Sequence, residues 1–331
     1  MTYRLEHQWV GNRICEGCFF FFYGMLRFLP SSVFNKLSRP FLRCFIQLAI
    51  PKKRVIRNLS AAFGDSYTSA TKTGIARGVQ ENFLQNLLDC LRHLADAEHT
   101  RKAIEIQGTE HLAAALRKGK GVIALGAHIG NFVLVGTRLG LEGQTSHTLF
   151  RVPADKRIER LIARLLPHYH QAIISTASKR TAVTKILDAL RRNEIVHILG
   201  DNLKTGRIDA SLFGQRVPSP RGPISLALRT EAPLVPMYLV RNYQGGMQLI
   251  IEPEMELIRE GNLQNDIERN TRRMVRFLES LIRKYPDQWN WLTVRLWKHG
   301  ASRVPPLPIQ KTNRSETGGK QLLPSSTPSS Y

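Results

Sequence analysis

Apolar runs in this chain stop abruptly at small and polar residues, and those stops mark the ends of its strands. Val122 to Leu125 lies between Gly121 and the segment Gly126-Ala-His128-Ile-Gly130-Asn131. Its length and apolar content are those of a fully buried strand. After His128 the spacing turns helical, with Phe132, Val135 and Leu139 on one side, which places the histidine at a strand-to-helix junction. In open α/β sheets ligands bind outside the carboxyl ends of the strands, and the free N–H groups of a helix's first turn favour negative charge. His128 is therefore a candidate general base; a histidine that merely caps the turn is the other reading of this segment.

A second stretch repeats the pattern. Glu194 to Gly200 reads as a short buried strand that ends in Asp201-Asn202, with Lys204, Arg207 and Leu212-Phe-Gly-Gln215 following. A helix-like stretch from Ile224 to Thr230 comes next, then a strand-like one from Ala232 to Val240 with a proline at its entrance. Strand, helix, strand, helix, strand in sequence predicts an α/β fold, a layered sheet flanked by helices. His197, inside the second strand, reads as a satisfied interior histidine, and Trp289 and Trp291 read as packing residues, with the lining of an apolar channel as the alternative.

Composition adds a partner class. The chain of 331 residues carries 48 Lys and Arg against 26 Asp and Glu, a formal charge of +22. Such a charge suits an anionic membrane surface or an acidic carrier protein. Nucleic acid is the rival, but zinc-ligand spacing, RNA-recognition aromatics and a helix-turn-helix signal are all missing from the sequence. Residues 17–26 are strongly apolar yet about half the roughly 20 residues that span a bilayer. They are read as an interfacial anchor, with Phe41 to Ile50 beside them and Arg43 reaching the head groups, although buried core helices are the alternative. The expected organisation is a membrane-associating segment 1–50, one domain 51–303 and a disordered tail 304–331 rich in Pro, Ser and Thr. Cys15 and Cys18 lack a second ligand pair, so no metal site is expected.

Six short motifs carry a resemblance. Gly126-Ala-His-Ile-Gly-Asn-Phe132, Gly200-Asp-Asn202, Leu212-Phe-Gly-Gln215, Pro220-Arg-Gly-Pro223, Leu226-Ala-Leu-Arg-Thr-Glu-Ala-Pro-Leu-Val-Pro236 and Tyr285-Pro-Asp-Gln-Trp-Asn-Trp291 stand in this order. Together with Arg54-Val-Ile-Arg-Asn-Leu59 they resemble the bacterial lipid A lauroyl/myristoyl acyltransferases, within the wider lysophospholipid and glycerol-3-phosphate acyltransferase superfamily, over roughly residues 20 to 300.

The resemblance implies a glycerol-3-phosphate acyltransferase-like fold and acyl transfer at the cytoplasmic face of a bacterial inner membrane. The donor would be an acyl carrier protein or coenzyme A thioester, the acceptor a hydroxyl of a membrane glycolipid such as a lipid A precursor, with no further cofactor. His128 would be the base, but the family's acid five residues later is replaced here by Val133. Three readings follow: Asp201 supplies the carboxylate, His128 works unaided, or the chain is a non-catalytic lipid- or carrier-binding relative. Backbone N–H groups near Gly130 and Asn131, or near Gly200 to Asn202, are candidate donors to a tetrahedral oxyanion. Arg151, Arg207, Lys179 and Arg180 are candidate phosphate ligands, each with a solvated surface charge as the alternative. Cys90 lies outside any nucleophile-elbow pattern, so direct attack by the acceptor is expected.

Overall fold

The computed structural model describes residues 40, 42–44, 46–94, 96–151, 160, 164–204, 206–242, 244–294 and 296. The apolar run 17–26 and the tail 304–331 lie outside the described residues, as do Cys15 and Cys18.

Seven strands form one sheet: β1 Ile104–Gln107, β2 Val122–Gly126, β3 Ser146–Phe150, β4 Gln171–Ser175, β5 Ile195–Leu199, β8 Leu234–Arg241 and β9 Met247–Ile251, in the order β1-β9-β8-β2-β5-β3-β4. The pairs β2·β5, β2·β8, β5·β3, β3·β4 and β1·β9 are parallel, and β8·β9 alone is antiparallel. All five residues of β2 are buried, as a central parallel strand covered on both faces requires. Alternate residues go to opposite layers. Ile123 and Leu125 enter a large core with the apolar faces of the helices on one side, and Val122 and Ala124 enter a smaller one.

The helices are α1 Lys52–Phe63, α2 Ser69–His93, α3 Ala97–Ala103, α4 Thr109–Leu116, α5 Leu134–Gly140, α6 Lys179–Arg191, α7 Gly222–Thr230 and α8 Leu263–Lys284. Their starts follow local chemistry. Thr68 and Asn262 accept the amides of Thr71 and Asn265 at 3.1 and 3.0 Å, capping α2 and α8. Leu134, Val135 and Leu139 of α5 and Leu112 and Ala115 of α4 close the smaller core. A separate hairpin, β6 Ile208–Leu212 and β7 Gln215–Ser219, turns at Phe213 and Gly214 with φ of 52° and 71°. Two successive positive φ values are the signature of a two-residue type I′ turn, and the Phe213 amide donates to Glu279 of α8 at 2.7 Å.

Two expectations change. Within the stretch Phe41 to Ile50, the described residues divide between core and surface. Leu42, Ile46 and Ile50 are each 2% exposed or less and join the large core, and Arg43 pairs with Glu81 at 3.2 Å. Burial of those three aliphatic side chains favours one face of the segment facing the core, while Gln47, Leu48 and Ala49 stay exposed. Among the described residues no helix is long and apolar enough to cross a membrane. The second change concerns α5, which begins at Leu134 rather than near Phe132, so His128 precedes the helix by an irregular turn.

Candidate active site

β2 and β5 are neighbours in register, with Gly126 opposite Leu199. The two chain segments leaving their carboxyl ends therefore run side by side, and His128 and Asp201 meet there. The His128 ring Nδ1 lies 2.8 Å from Asp201 Oδ1, while the His128 backbone N–H donates to Asp201 Oδ2 at 2.8 Å. Trp289 Nε1–H donates to the same Oδ2 at 2.8 Å. Asp201 and Trp289 are fully buried, and the His128 side chain keeps 30% exposure.

A buried carboxylate without partners would take up a proton. Burial does push the Asp201 pKa up, but the His128 charge, the ring contact, the indole N–H and the backbone N–H outweigh it, and Asp201 stays below the usual carboxylate value. His128 shows the mirror balance. Burial draws its pKa down, the charge and hydrogen bond of Asp201 raise it further, Lys204 opposes weakly, and the net shift is upward. With Nδ1 held by Asp201, the other ring nitrogen Nε2 is left to act as base or acid.

The turn that carries His128 is fastened from several sides. Asn290 donates to the His128 carbonyl at 2.9 Å, Gly130 to the Gln288 carbonyl at 3.0 Å and Asn131 to the Leu239 carbonyl at 2.9 Å. Asn86 of α2 donates to the Gly130 carbonyl at 2.8 Å. Gly130 has φ of +51°, and a Cβ there would stand 1.9 Å from the Leu239 carbonyl oxygen. Only glycine fits so close a backbone approach. The Phe132 ring, left outside α5, meets the His128 ring edge-on at 5.0 Å.

These bonds correct the expected oxyanion donors. The amides of Gly130 and Asn131 are committed to carbonyls of β8 and of the segment before Trp289, and the Gly200 amide donates to Gly126 at 2.9 Å. Asn131 is 2% exposed, accepts from Cys90 Sγ at 3.2 Å and donates to the Asn86 carbonyl at 3.1 Å. Gly130 and Asn131 thus hold the turn together instead of facing a ligand. Of that set the amides of Asp201 and Asn202 remain, Asn202 being exposed beside the buried Asp201.

Arg151, Arg207, Lys179 and Arg180 are exposed, and among the described residues none is bonded to the His128–Asp201 pair. Val133 is 38% exposed at the residue before α5 and makes no part of the pair. Glu142 is engaged by Arg138 at 2.6 Å. Cys90, with burial as the main cause and Asp89 adding to it, has its thiol pushed up to about 12, so it stays protonated.

Sequence reasoning left Trp289 among packing residues, although its indole touches the carboxylate. The Trp-Asn-Trp spacing was visible; its proximity to Asp201, 88 residues away, was not. His197 is also different from expectation. It is 1% exposed, but neither ring nitrogen has a hydrogen-bond partner. Burial, with the His128 charge adding to it, lowers its pKa to about 4, so it is neutral. Among the described residues no group of three His, Cys, Asp or Glu side chains is placed to hold a metal ion.

With this geometry in view, similarity to known proteins can be placed on it. A family model described as bacterial lipid A biosynthesis acyltransferase matches residues 17–299. A phosphatidylinositol mannoside acyltransferase of Mycobacterium tuberculosis (strain CDC 1551 / Oshkosh) is 28% identical over 140 residues, which is 40% of this chain and 43% of that protein. A protein of the same name from Mycolicibacterium smegmatis is 22% identical over 248 residues, 72% of this chain and 75% of the relative. The chain thus spans less than half the length of the M. tuberculosis relative that it matches.

Proposed function

This chain belongs to the bacterial lipid A biosynthesis acyltransferase family, and on that premise we propose that it moves a fatty acyl chain from a thioester to a hydroxyl of a membrane glycolipid. The thioester is that of acyl carrier protein or coenzyme A. The acceptor is a lipid A precursor or a glycolipid related to the phosphatidylinositol mannosides named for the relatives. The reaction takes place at a membrane surface, on the side where the thioester donors are made.

His128 is the general base. Its Nε2 takes the proton as the acceptor oxygen attacks the thioester carbonyl carbon, and the C–O bond forms. The tetrahedral intermediate then breaks its C–S bond, and the imidazolium returns the proton to the departing sulfur. Asp201 holds the ring in one tautomer and stabilises the imidazolium between the two steps, the part a carboxylate plays in a catalytic triad. Trp289 and the His128 amide keep that carboxylate ionised and aimed. Asn202 is left as the candidate beside the developing oxyanion, with Arg151 and Arg207 as candidate phosphate ligands on the surface.

The observation that carries this reading is the 2.8 Å contact between His128 Nδ1 and Asp201 Oδ1 beneath a ring still 30% exposed. A base needs an orienting group behind it and an open face in front, and this pair has both. The replacement of the family's acid by Val133 favours the second reading, a non-catalytic lipid- or carrier-binding relative. Transfer of radiolabelled acyl groups from carrier-protein and coenzyme A donors to a lipid A precursor and a panel of membrane lipids decides between them. Turnover by the wild type that disappears in His128→Ala supports the enzyme. Lipid binding without turnover from any donor supports the binding protein.

A further inference from the structure

A cavity of about 310 Å³ lies between Arg43, Ile46 and Gln47, the start of α1 and the middle of α2, well separated in sequence from the His128 turn. Its volume is at the lower end of small-ligand pockets, roughly 300–1,000 Å³. Arg43, Lys52 and Arg77 bring three positive charges to its wall, against Glu81 alone. Glu81 is already paired with Arg43, and among the described residues Lys52 and Arg77 have no ion pair. A second cavity, beside the start of α8, makes the contrast clear. Its arginines 269 and 272 are each paired with a glutamate, Glu260 and Glu268. The cavity on α2 keeps two cations in surplus where the other keeps none.

Two further features narrow the ligand. The α1 helix starts at Lys52 behind Pro51, with no side chain capping its amides and no acidic residue in its first turn, so the positive end of the helix adds to the lysine. Leu48, next to the cavity residue Gln47, is 77% exposed, while Ile46 and Leu84 form an apolar part of the wall. An apolar side chain projecting beside unpaired cations matches a headgroup with acyl chains attached better than a soluble anion.

We propose that this cavity binds the phosphate of an anionic membrane lipid. Arg77 offers a planar fork to phosphate oxygens and Lys52 a compact charge, with Leu48 entering the acyl layer alongside. It is a surface contact with one headgroup, and it goes beyond the acyl-transfer reading because it needs no turnover.

The test is flotation of the purified full-length chain with vesicles of phosphatidylcholine alone or doped with phosphatidylglycerol. The variant is Lys52→Glu/Arg77→Glu. Its control is Arg117→Glu/Arg229→Glu, which makes the same charge change at two exposed positions that precede the amino ends of β2 and β8, whereas His128 follows the carboxyl end of β2. Each cation near an anionic surface contributes on the order of 1 kcal/mol, so the cavity variant should bind doped vesicles at least about tenfold more weakly. The control, whose two arginines are not among the cavity's lining residues, should change by less than about twofold, because charges outside the contact are screened by salt. The neutral pair Lys52→Gln/Arg77→Gln, closer to native in volume, should fall between them, and circular dichroism checks that all fold. Equal losses in cavity variant and control would overturn the proposal in favour of diffuse attraction. Binding of inorganic phosphate that depends on Lys52 and Arg77, without any preference for doped vesicles, would overturn the lipid source.

Discussion

Asp201 grips His128 at two points, one carboxylate oxygen on the ring nitrogen and the other on the backbone amide, each at 2.8 Å. A single side chain thus holds both the ring and the backbone amide of His128. Removing the charge while keeping the shape tests both. Asp201→Asn should lower turnover by about 10³–10⁴-fold, by analogy with the loss of a triad carboxylate. The sign of the pH change is also determined. Without the carboxylate, burial is left to dominate the His128 pKa, so the acidic limb of the rate profile should move to lower pH as activity falls. An unmoved limb would mean that the titrating group is not His128.

Trp289 brings a side chain of the C-terminal segment onto the Asp201 carboxylate. Its indole N–H is one of the donors that keep the buried carboxylate ionised. Trp289→Phe keeps most of the volume and removes the donor. A hydrogen bond to a charged group contributes about 1.5–3 kcal/mol, so turnover should drop by about ten- to a hundredfold with little change in the acceptor KM. A loss confined to thermal stability, with turnover per folded molecule unchanged, would make Trp289 a packing residue only.

Val133, the fifth residue after His128, is 38% exposed, and the ring nitrogen that an acid there would hold is already bound to Asp201. Val133→Asp should therefore change turnover little. A partly exposed new ion pair is worth about 0–1 kcal/mol, at most about fivefold in rate. A gain of a hundredfold or more would show that Asp201 is a poor substitute.

His197 predicts a pH dependence of stability. Its folded pKa is depressed from 6.5 to about 4, so the unfolded chain binds the proton more tightly. Stability is then full above 6.5 and is lost as pH falls toward about 4, by on the order of 3 kcal/mol. His93, depressed to about 4 mainly by burial, acts in the same window and direction. The His128–Asp201 pair has opposite terms: the raised histidine stabilises most at low pH, and the depressed aspartate loses its contribution only below the ordinary carboxylate range. Thermal melts across this window should show the loss, and His197→Leu should shrink it. The same histidine explains Gly126, where a Cβ would stand 2.2 Å from the His197 ring. Gly126→Ala should destabilise the wild type by more than about 1 kcal/mol, the usual range for overpacking, and His197→Ala in the same chain should relieve much of it.

Period and punctuation made the strands legible. Val122 to Leu125, Glu194 to Gly200 and Ala232 to Val240 correspond to β2, β5 and β8, and Ile224 to Thr230 to α7, because a buried parallel strand must be apolar on both faces and must end where the chain turns polar. The choice of Asp201 as neighbour of His128 followed from the same logic, since both stand just past strand ends. The start of α5 was misjudged because Phe132 fits a helical stripe yet packs on the His128 ring instead. The burial of Leu42, Ile46 and Ile50 was not legible, because an apolar stretch reads alike whether lipid or the protein core covers it.

The sequence by itself determined which residue types were available: a histidine and an aspartate at strand ends, a surplus of cations, and apolar runs long enough for a sheet. Periodicity is a local property, so it could be read without contacts. Tertiary structure alone decided that β2 lies beside β5, that Trp289 reaches Asp201 across 88 residues, and that the amides of Gly130 and Asn131 are committed to the fold and closed to a ligand. Those outcomes depend on strand order and on hydrogen-bond competition between distant segments, and no spacing along one chain encodes the distance between its neighbours in space.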